Sequence, residues 1–591
     1  MNNLMSSTSL KTKILIGLTA LFLVFFAWGH LHLVSDTFYI DPAGSIHSNY
    51  EGYGDTPLHL TQISKFAFSK NLDLNEPVYY GHKLQYPFLI NLISGLLLRL
   101  TGLWSFSVLW PIYVLVITNI ILLYLIYKKL LGRNFLVIAA FLIFFLGGGT
   151  AAWSYLKPVL TGNQPVSNLV QTITEDQGLN VFVKYDAKYP DQNIDFSAPL
   201  TLVLTHQRTF FLGLFGFLLF VWFLIKSRES DKKKYPIWAG IVFGLLPLAH
   251  THSFVAAAVV LFVFLIWHSN WKNKEHFAFL KKLLFTFIVG VLLALPQLYF
   301  LLQAKNTLNT RADFARFRLG WMTETGGIGS AAFPTIDHSV LSWPYLHFLW
   351  INLGLILPLF LLALILTVIY HRRLDPAKNS LLWPVALSGL LLFGAVQIIQ
   401  FQPWDFDNNK ILVYFLFCAA PFVIWFLAKI FGRLRWLEIF IISLVVLLST
   451  YSGLIGMASR LSVPKENLPV IFTPDSEVLA AYIKTKIPEQ DLILTGTTHL
   501  NPVSSLAGRQ VLVGYPGWLW TRGIDYSARE NKIRQFYQAP SFDSHLLREF
   551  PISYILMDNS VINNWYASPA TFDQLFPRVF TAGQYILYKV I

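Results

Sequence analysis

The sequence predicts a polytopic α-helical membrane protein of about eleven crossings, followed by a small α/β domain. Three observations carry this reading. Of 591 residues, 54% are hydrophobic and only 13% charged, with a mean hydropathy of +0.52; soluble domains carry about 25% charged residues. Apolar runs long enough to cross a hydrocarbon core recur along most of the chain. Between them, short basic clusters alternate with longer polar loops, the pattern of cytoplasmic and outer loops respectively.

The first crossing is expected at Ile14–Val34, with Lys11 and Lys13 inside. It resembles a signal peptide but lacks a small-residue cleavage pattern after it, so it is read as a retained helix. The outer loop Ser35–Pro87 follows and gathers Asp36, Asp41, Glu51, Asp55 and His59. Within it, Thr56–Ser69 places Leu58, Ile63, Phe66 and Ala67 at the spacing of an amphipathic surface helix. Tyr86–Leu100 is apolar but short and carries Arg99; it reads as a second interfacial helix, because a crossing there would invert every later loop.

Further crossings are expected at Phe106–Tyr127, Phe135–Trp153, His206–Lys226, Pro236–Ala249, Ser253–Trp267, Leu283–Gln303, Leu346–Tyr370, Leu381–Gln400, Ile411–Ala428 and Leu437–Met457. This arrangement puts Lys128, Lys129 and Arg133, the stretch KSRESDKKK, His371–Arg373 and Lys429–Arg435 inside. The loops Ser154–Pro199, Ala304–Tyr345 and Gln402–Lys410 fall outside. The net charge of +13 thus reflects topology, and nucleic acid is not an expected partner. The single cysteine, Cys418, lies in an apolar run, which excludes an intramolecular disulfide and a cysteine zinc site.

From Ala458 the composition changes. PDSEVLAAYIKTKI has helical spacing, and DLILTG, RQVLVG, SYILMD and QYILYKVI read as short buried strands. ARENKIRQFYQ and DSHLLREF supply helices between them. Residues 1–457 are therefore expected to form the membrane domain and 458–591 an outer α/β domain.

Candidate chemistry collects at the outer ends of the helices. Asp55 sits in Gly52-Tyr-Gly-Asp-Thr-Pro-Leu-His59. It reads either as a helix N-cap before Thr56-Pro57 or as a carboxylate able to take a proton from an acceptor hydroxyl. A cap alone leaves Asp41, Glu51 and His59 unexplained, and His59 lies one turn further on the same face. His206, Gln207 and Arg208 open a crossing at the outer interface, where a buried ionisable group is costly and marks function; Arg208 snorkelling to headgroups is the plainer alternative. Arg311, Arg316 and Arg318 suit a lipid phosphate through bidentate bonds, or simply headgroups. In Trp404-Asp405-Phe406-Asp407-Asn408-Asn409-Lys410, the lysine can neutralise a leaving phosphate and Trp404 offers a sugar-stacking face. Asp405 and Asn409 would bond a sugar or acceptor, and a capped turn is the alternative. His250 and His252 would fall on different faces of a helix but could share a ligand in a short turn; two histidines make a weak metal site. Gly326-Gly-Ile-Gly329 lacks the setting of a phosphate loop. His499–Asn501 and Gly514–Trp518 lie at expected strand ends, where α/β domains often bind ligands; a surface docked on the membrane domain is the favoured reading.

A first crossing, an outer loop bearing Asp41 and Asp55, amphipathic surface helices and an apolar segment opened by Tyr86-Pro87 together resemble the GT-C superfamily. These are membrane glycosyltransferases using polyprenyl-phosphate sugars, such as protein O-mannosyltransferases and lipid A aminoarabinose transferases. The resemblance covers the membrane portion as architecture, and at residue level only the outer loop. There the sequence has YGDTPLH where many members show an Asp-Glu pair, so Asp55 and Asp41 both stand as candidates for the family's loop acid. The resemblance implies inverting transfer of a sugar from a polyprenyl-phosphate donor to a lipid, glycan or protein acceptor, at the outer face of the plasma (inner) membrane. Asp55, or failing it Asp41, would act as base with His59 and Glu51 nearby. Lys410, Arg208, Arg311, Arg316 and Arg318 would serve the donor phosphate, and Trp404, Asp405, Asn409, His206 and Gln207 the sugar or acceptor. No cofactor is demanded, and a divalent metal stays open. The alternative is a transporter or lipid flippase, a class that often shows paired repeats and midplane breaks; no repeat stands out here. A non-catalytic scaffold with a sensory outer domain is the third reading.

Overall fold

The structure, a computed structural model, describes residues 10–150, 152–174, 198–270, 272–306, 316–317, 343–370, 381–401 and 405–591. It is mostly helical. Six helices are long and apolar enough to cross a membrane, or seven if one bent pair counts as a single span. They include α1 (Leu10–Ser35) and, after α2 (Gly52–Phe68) and α3 (Leu89–Thr101) of the first loop, α4 (Trp104–Leu131). A shorter α5 (Asn134–Leu146) precedes the long α6 (Arg208–Glu229). The short pair α7 (Lys234–Ala249) and α8 (Thr251–Trp267) leads to the long α9 (Lys274–Asn306). The bent pair is α10 (Trp343–Leu353) with α11 (Ile356–Ile369). After α12 (Leu382–Ile398) come the last two long helices, α13 (Asn409–Phe431) and α14 (Arg435–Leu461). At 1.5 Å per residue, each long helix reaches about 30 Å or more, the thickness of a hydrocarbon core. The chain is an integral membrane protein.

Helix α13 is the axis of the bundle. No charge interrupts it between Lys410 and Lys429, so it is apolar on all sides and buried along nearly its whole length. It packs against α5, α11, α12 and α14, and Tyr127 of α4 donates its hydroxyl to the Phe417 carbonyl at 2.9 Å.

Two helices expected to run unbroken do not. The stretch Phe135–Trp153 stops at Leu146, where Gly147–Gly149 turns aside, and Leu346–Tyr370 bends by 100° around Gly354. The breaks meet. A Cβ on Gly149 would lie 1.4 Å from the Ile351 carbonyl oxygen, and Thr150 N–H bonds that carbonyl at 2.9 Å. Gly354 itself adopts a φ of +54°, open to glycine at little cost.

Helix α3 lies on α2, burying Ile90, Asn91, Ser94 and Leu98 while exposing Ile93, Leu96 and Leu100. Arg99 closes its end on the Ala67 and Ser69 carbonyls.

In the C-terminal part, β6 (Leu492–Leu494), β7 (Ile552–Met557), β8 (Arg578–Ala582) and β9 (Tyr585–Lys589) form a sheet of order β6-β7-β9-β8. The pair β6–β7 is parallel and the others antiparallel. RQVLVG, expected as a strand, makes only isolated bridges, Val511 to Ile493 and Val513 to Tyr79, because the first loop occupies its other side. That loop is woven into this part. Its β2 (Ile46–His47) pairs with both β1 (Tyr39–Ile40) and β5 (Val470–Phe472). One apolar cluster joins Leu58, Val78 and Tyr79 to Leu512, Trp518 and Tyr537, and a second joins Phe38, Leu60 and Ile63 to Ile471, Leu479 and Val503.

Candidate functional site where the first loop meets the helix ends

Helix α2 begins at Gly52, whose N–H is received by Asn49 Oδ1 at 2.8 Å. Asp55 is therefore inside the first turn and is not the N-cap. An acid there is favoured by the helix dipole, and Pro57 removes an N–H low in the helix. The carboxylate projects toward the turn that precedes α6. Gln207 Nε2 reaches Asp55 Oδ2 at 3.4 Å and His206 Nε2 lies 3.9 Å from the same oxygen.

Lys410 enters from a third element. A short 3-10 turn, Asp405–Asn408, feeds α13, and Asp407 Oδ1 holds Lys410 Nζ at 2.8 Å. Lys410 and Asp407 both act on Asp55 electrostatically. The Asp55 side chain is 38% open, yet dense protein surrounds it. That burial outweighs the pull of Lys410, and with a push from Asp407 its pKa rises to about 6. Burial, reinforced by Lys410, lowers the His206 pKa to about 3. His206 is then neutral at pH 7, so its approach to Asp55 is a polar contact and not an ion pair.

Beside these groups lies a cavity of about 240 Å³, its walls including Gln85, Tyr86, His252, Asp407, Lys410 and Arg522. Among the described residues, three wall residues each leave one buried nitrogen without a hydrogen-bond partner: Gln85 Nε2, His252 Nε2 and Arg522 Nη2. Buried polar atoms are nearly always paired, so three around one cavity mark a place for a polar ligand. Arg522 comes from the C-terminal part. Its Nη1 bonds Glu76 Oε2 at 2.9 Å and its guanidinium lies 5.1 Å from the Tyr86 ring centroid. Asp55 itself is not a wall residue.

Other expected site residues fall elsewhere. Asp41 is held in the β1–β2 turn by Ser45 N–H at 2.8 Å and His47 Nε2 at 3.1 Å, which use both carboxylate oxygens away from the cavity. Glu51 is buried against Arg460, with Nε to Oε1 at 2.6 Å. His59 accepts from Asn91 Nδ2 at 3.0 Å. Arg208, expected to serve the donor phosphate, turns inward. Its guanidinium donates to Ser94 Oγ at 2.7 Å and the Val108 carbonyl at 2.6 Å, with Asn91 Oδ1 at 3.4 Å. Asn409 is buried beside Lys410. Arg316 pairs by its backbone with Gln400, next to the wall residue Phe401. Arg311, Arg318 and Trp404 lie outside the described residues, as do the side chains of Arg316 and Asp405. Among the described residues, no three of His, Cys, Asp or Glu gather as a metal-holding group.

Arg522 and Gln85 as cavity residues escaped the sequence, whereas His250 and His252, read as able to share a ligand, both line it. For Arg522 the signal is indirect: Gly514–Trp518, just before it, reads as a docking surface.

The sequence matches no protein-family model and no curated protein. Solved structures do resemble the fold. The apo oligosaccharyltransferase of Archaeoglobus fulgidus superposes with a TM-score of 0.52 at 13% identity, covering 93% of this chain and 70% of that one. The oligosaccharyltransferase AglB of the same organism, bound to an inhibitory peptide and a dolichol-phosphate, gives 0.52 at 12% identity over the same shares. Apo ArnT from Cupriavidus metallidurans gives 0.51 at 10% identity, covering 98% of each chain. The chain has the fold of the GT-C membrane glycosyltransferases.

Proposed function

We propose that this protein is an inverting glycosyltransferase that moves a sugar from a polyprenyl-phosphate donor to an acceptor hydroxyl at the extracytoplasmic face of the plasma membrane. The observation that carries this reading is the convergence of an acid of raised pKa, Asp55, with Lys410 beside a cavity edged by buried nitrogens that no described residue pairs. The neighbouring AglB structure holds a dolichol-phosphate, which supports a lipid-phosphate donor.

In this mechanism the acceptor oxygen attacks the anomeric carbon while its proton passes to an Asp55 carboxylate oxygen. The anomeric C–O bond to phosphate breaks on the opposite side, and its electron pair leaves with the phosphate. Lys410 Nζ and Arg522 Nη2 are fixed cations beside the cavity, so they favour the charge that develops there over the ground state. Asp407 keeps Lys410 aimed. A base pKa near 6 leaves Asp55 mostly ionised at pH 7 and still an effective proton acceptor. Lipid, glycan and protein hydroxyls all satisfy this chemistry.

Four of the shorter apolar helices, α5, α7, α8 and α12, cross with the seven longer spans in this reading, giving eleven and an outer C-terminal domain at 458–591. The interwoven first loop supports placing the two on one side.

The test uses the purified chain in lipid nanodiscs with polyprenyl-phosphate hexoses and pentoses as donors and cell-envelope extract as acceptor. Release of polyprenyl phosphate that requires acceptor and disappears in Asp55→Asn supports the reading. Equal turnover in Asp55→Asn, or none with any donor, overturns it.

A further inference from the structure

A second cavity, of about 210 Å³, lies in the C-terminal part, away from Lys410. It opens where the parallel strands β6 and β7 end. Ligands in α/β sheets bind outside such carboxyl ends. Asp558 directly follows β7, and Thr498 and Leu500 lie on the loop that leaves β6. Ser476, at the start of helix Pro474–Lys486, and Gln584 and Tyr585, at the β8–β9 turn, close the other sides.

The lining is rich in hydroxyls and poor in charge. Ser476 Oγ and the Tyr585 hydroxyl share a hydrogen bond at 2.9 Å, Gln584 Nε2 donates to the same hydroxyl at 3.2 Å, and Thr473 Oγ1 meets Ser476 Oγ at 3.3 Å. Asp558 is the single charged wall residue. Its Oδ1 accepts from Ser560 N–H, Ser560 Oγ and Val561 N–H, and among the described residues no protein donor meets Oδ2. Among the described residues, no lysine or arginine lines the space, so a phosphate or nucleotide finds no counter-charge there. Hydroxyls that both donate and accept, one carboxylate acceptor and the Tyr585 ring match a neutral polyol.

The cavity also communicates with the proposed catalytic base. Thr498 and Leu500 line it, while His499 between them packs on Tyr53, ring centroids 4.8 Å apart, two residues before Asp55. Among the described residues, no hydrogen-bond partner meets the buried His499 Nε2. One strip of backbone thus has the cavity on one side and the helix bearing Asp55 on the other.

We propose that this cavity is a neutral-saccharide site that holds the glycan portion of the acceptor. Its assignment to the acceptor rests on the glycosyl-transfer reading; the binding of saccharide does not.

The experiment is saturation-transfer NMR on the full chain in nanodiscs, using maltose, cellobiose, mannobiose and diacetylchitobiose as probes and glucose 6-phosphate as the anionic control. Thr498→Val and Gln584→Leu remove polar groups from the wall while leaving the sheet pairing intact, and circular dichroism confirms the fold of each. Transfer to at least one neutral probe is expected, about tenfold weaker in affinity in both variants and absent for the phosphate. No transfer to any probe, transfer unchanged in both variants, or preference for the phosphate overturns the site. Measuring donor turnover beside binding in the native chain separates the two proposals. Saccharide binding by a native chain that turns over no donor sinks only the transferase reading. Turnover with an acceptor KM unmoved by Thr498→Val and Gln584→Leu sinks only the saccharide site.

Discussion

Arg460, near the end of α14, donates Nε–H to Glu51 at 2.6 Å, one helical turn before Asp55. Both side chains are buried, 6% and 9% exposed, and Arg460 Nη2 also bonds the Thr201 carbonyl at 3.0 Å. The pair ties the start of α2 to the turn that carries His206 and Gln207. Breaking one side of a buried ion pair leaves the other charge stranded, at about 3–5 kcal/mol. Glu51→Gln is therefore expected to lower the unfolding midpoint strongly, read by thermal melting in detergent. A melt equal to the native chain's would show that the pair does not hold this corner.

Asp55→Asn is expected to do the reverse. A raised pKa means that the fold disfavours the ionised carboxylate. Stability tied to Asp55 is full at about pH 4 and below, falls as pH rises toward 6, and stays low above that. Asparagine removes this cost, so the variant should melt no lower than the native chain at pH 7, with the difference vanishing near pH 4. Its transfer activity should be gone. In the native chain, kcat/KM should fall about tenfold per pH unit below 6, as the base is protonated.

Arg522 allows the proposed phosphate contact to be told apart from its structural tie to Glu76. Glu76, its partner, is only 1% exposed. Arg522→Gln should cut transfer by about 10²–10³, the cost of one lost donor at a developing charge, and should also destabilise by stranding Glu76. Adding Glu76→Gln should return the stability without returning the activity. Recovery of both would make Arg522 a strut only.

Much of this arrangement is legible in the chain because it is local. Run length and basic spacing mark the helices, and polar residues at outer helix ends point to Asp55, Gln207 and Lys410. Arg208 shows where such reasoning stops. Its position at a helix start suits headgroups, phosphate or the interior equally, and Ser94 and Asn91, more than a hundred residues away, decide for the interior. Arg522 reaches Tyr86 through pairings between residues more than four hundred positions apart, Tyr79 with Val513 and Gly514 N–H with the Val78 carbonyl. The breaks at Gly147–Gly149 and Gly354 carry a glycine signal, but the flanking hydropathy is high enough to hide it.

Gly95 sets how closely α3 lies on α2, and with it the network under the site. A Cβ there would stand 2.6 Å from Phe66 Cβ and 2.8 Å from the Ile63 carbonyl oxygen, neither of which can swing away. Alanine gains about 1 kcal/mol of helix propensity over glycine, whereas overpacking a rigid contact costs about 1–3 kcal/mol. The clash should win. Gly95→Ala is expected to lower the melting midpoint and, by moving Asn91 off His59 and Arg208, to reduce transfer as well. Gly54→Ala is the control: its Cβ meets nothing within 4 Å, so the propensity gain acts alone and the melt should hold or rise. If both variants melt alike, α3 is not packed on α2 at this distance.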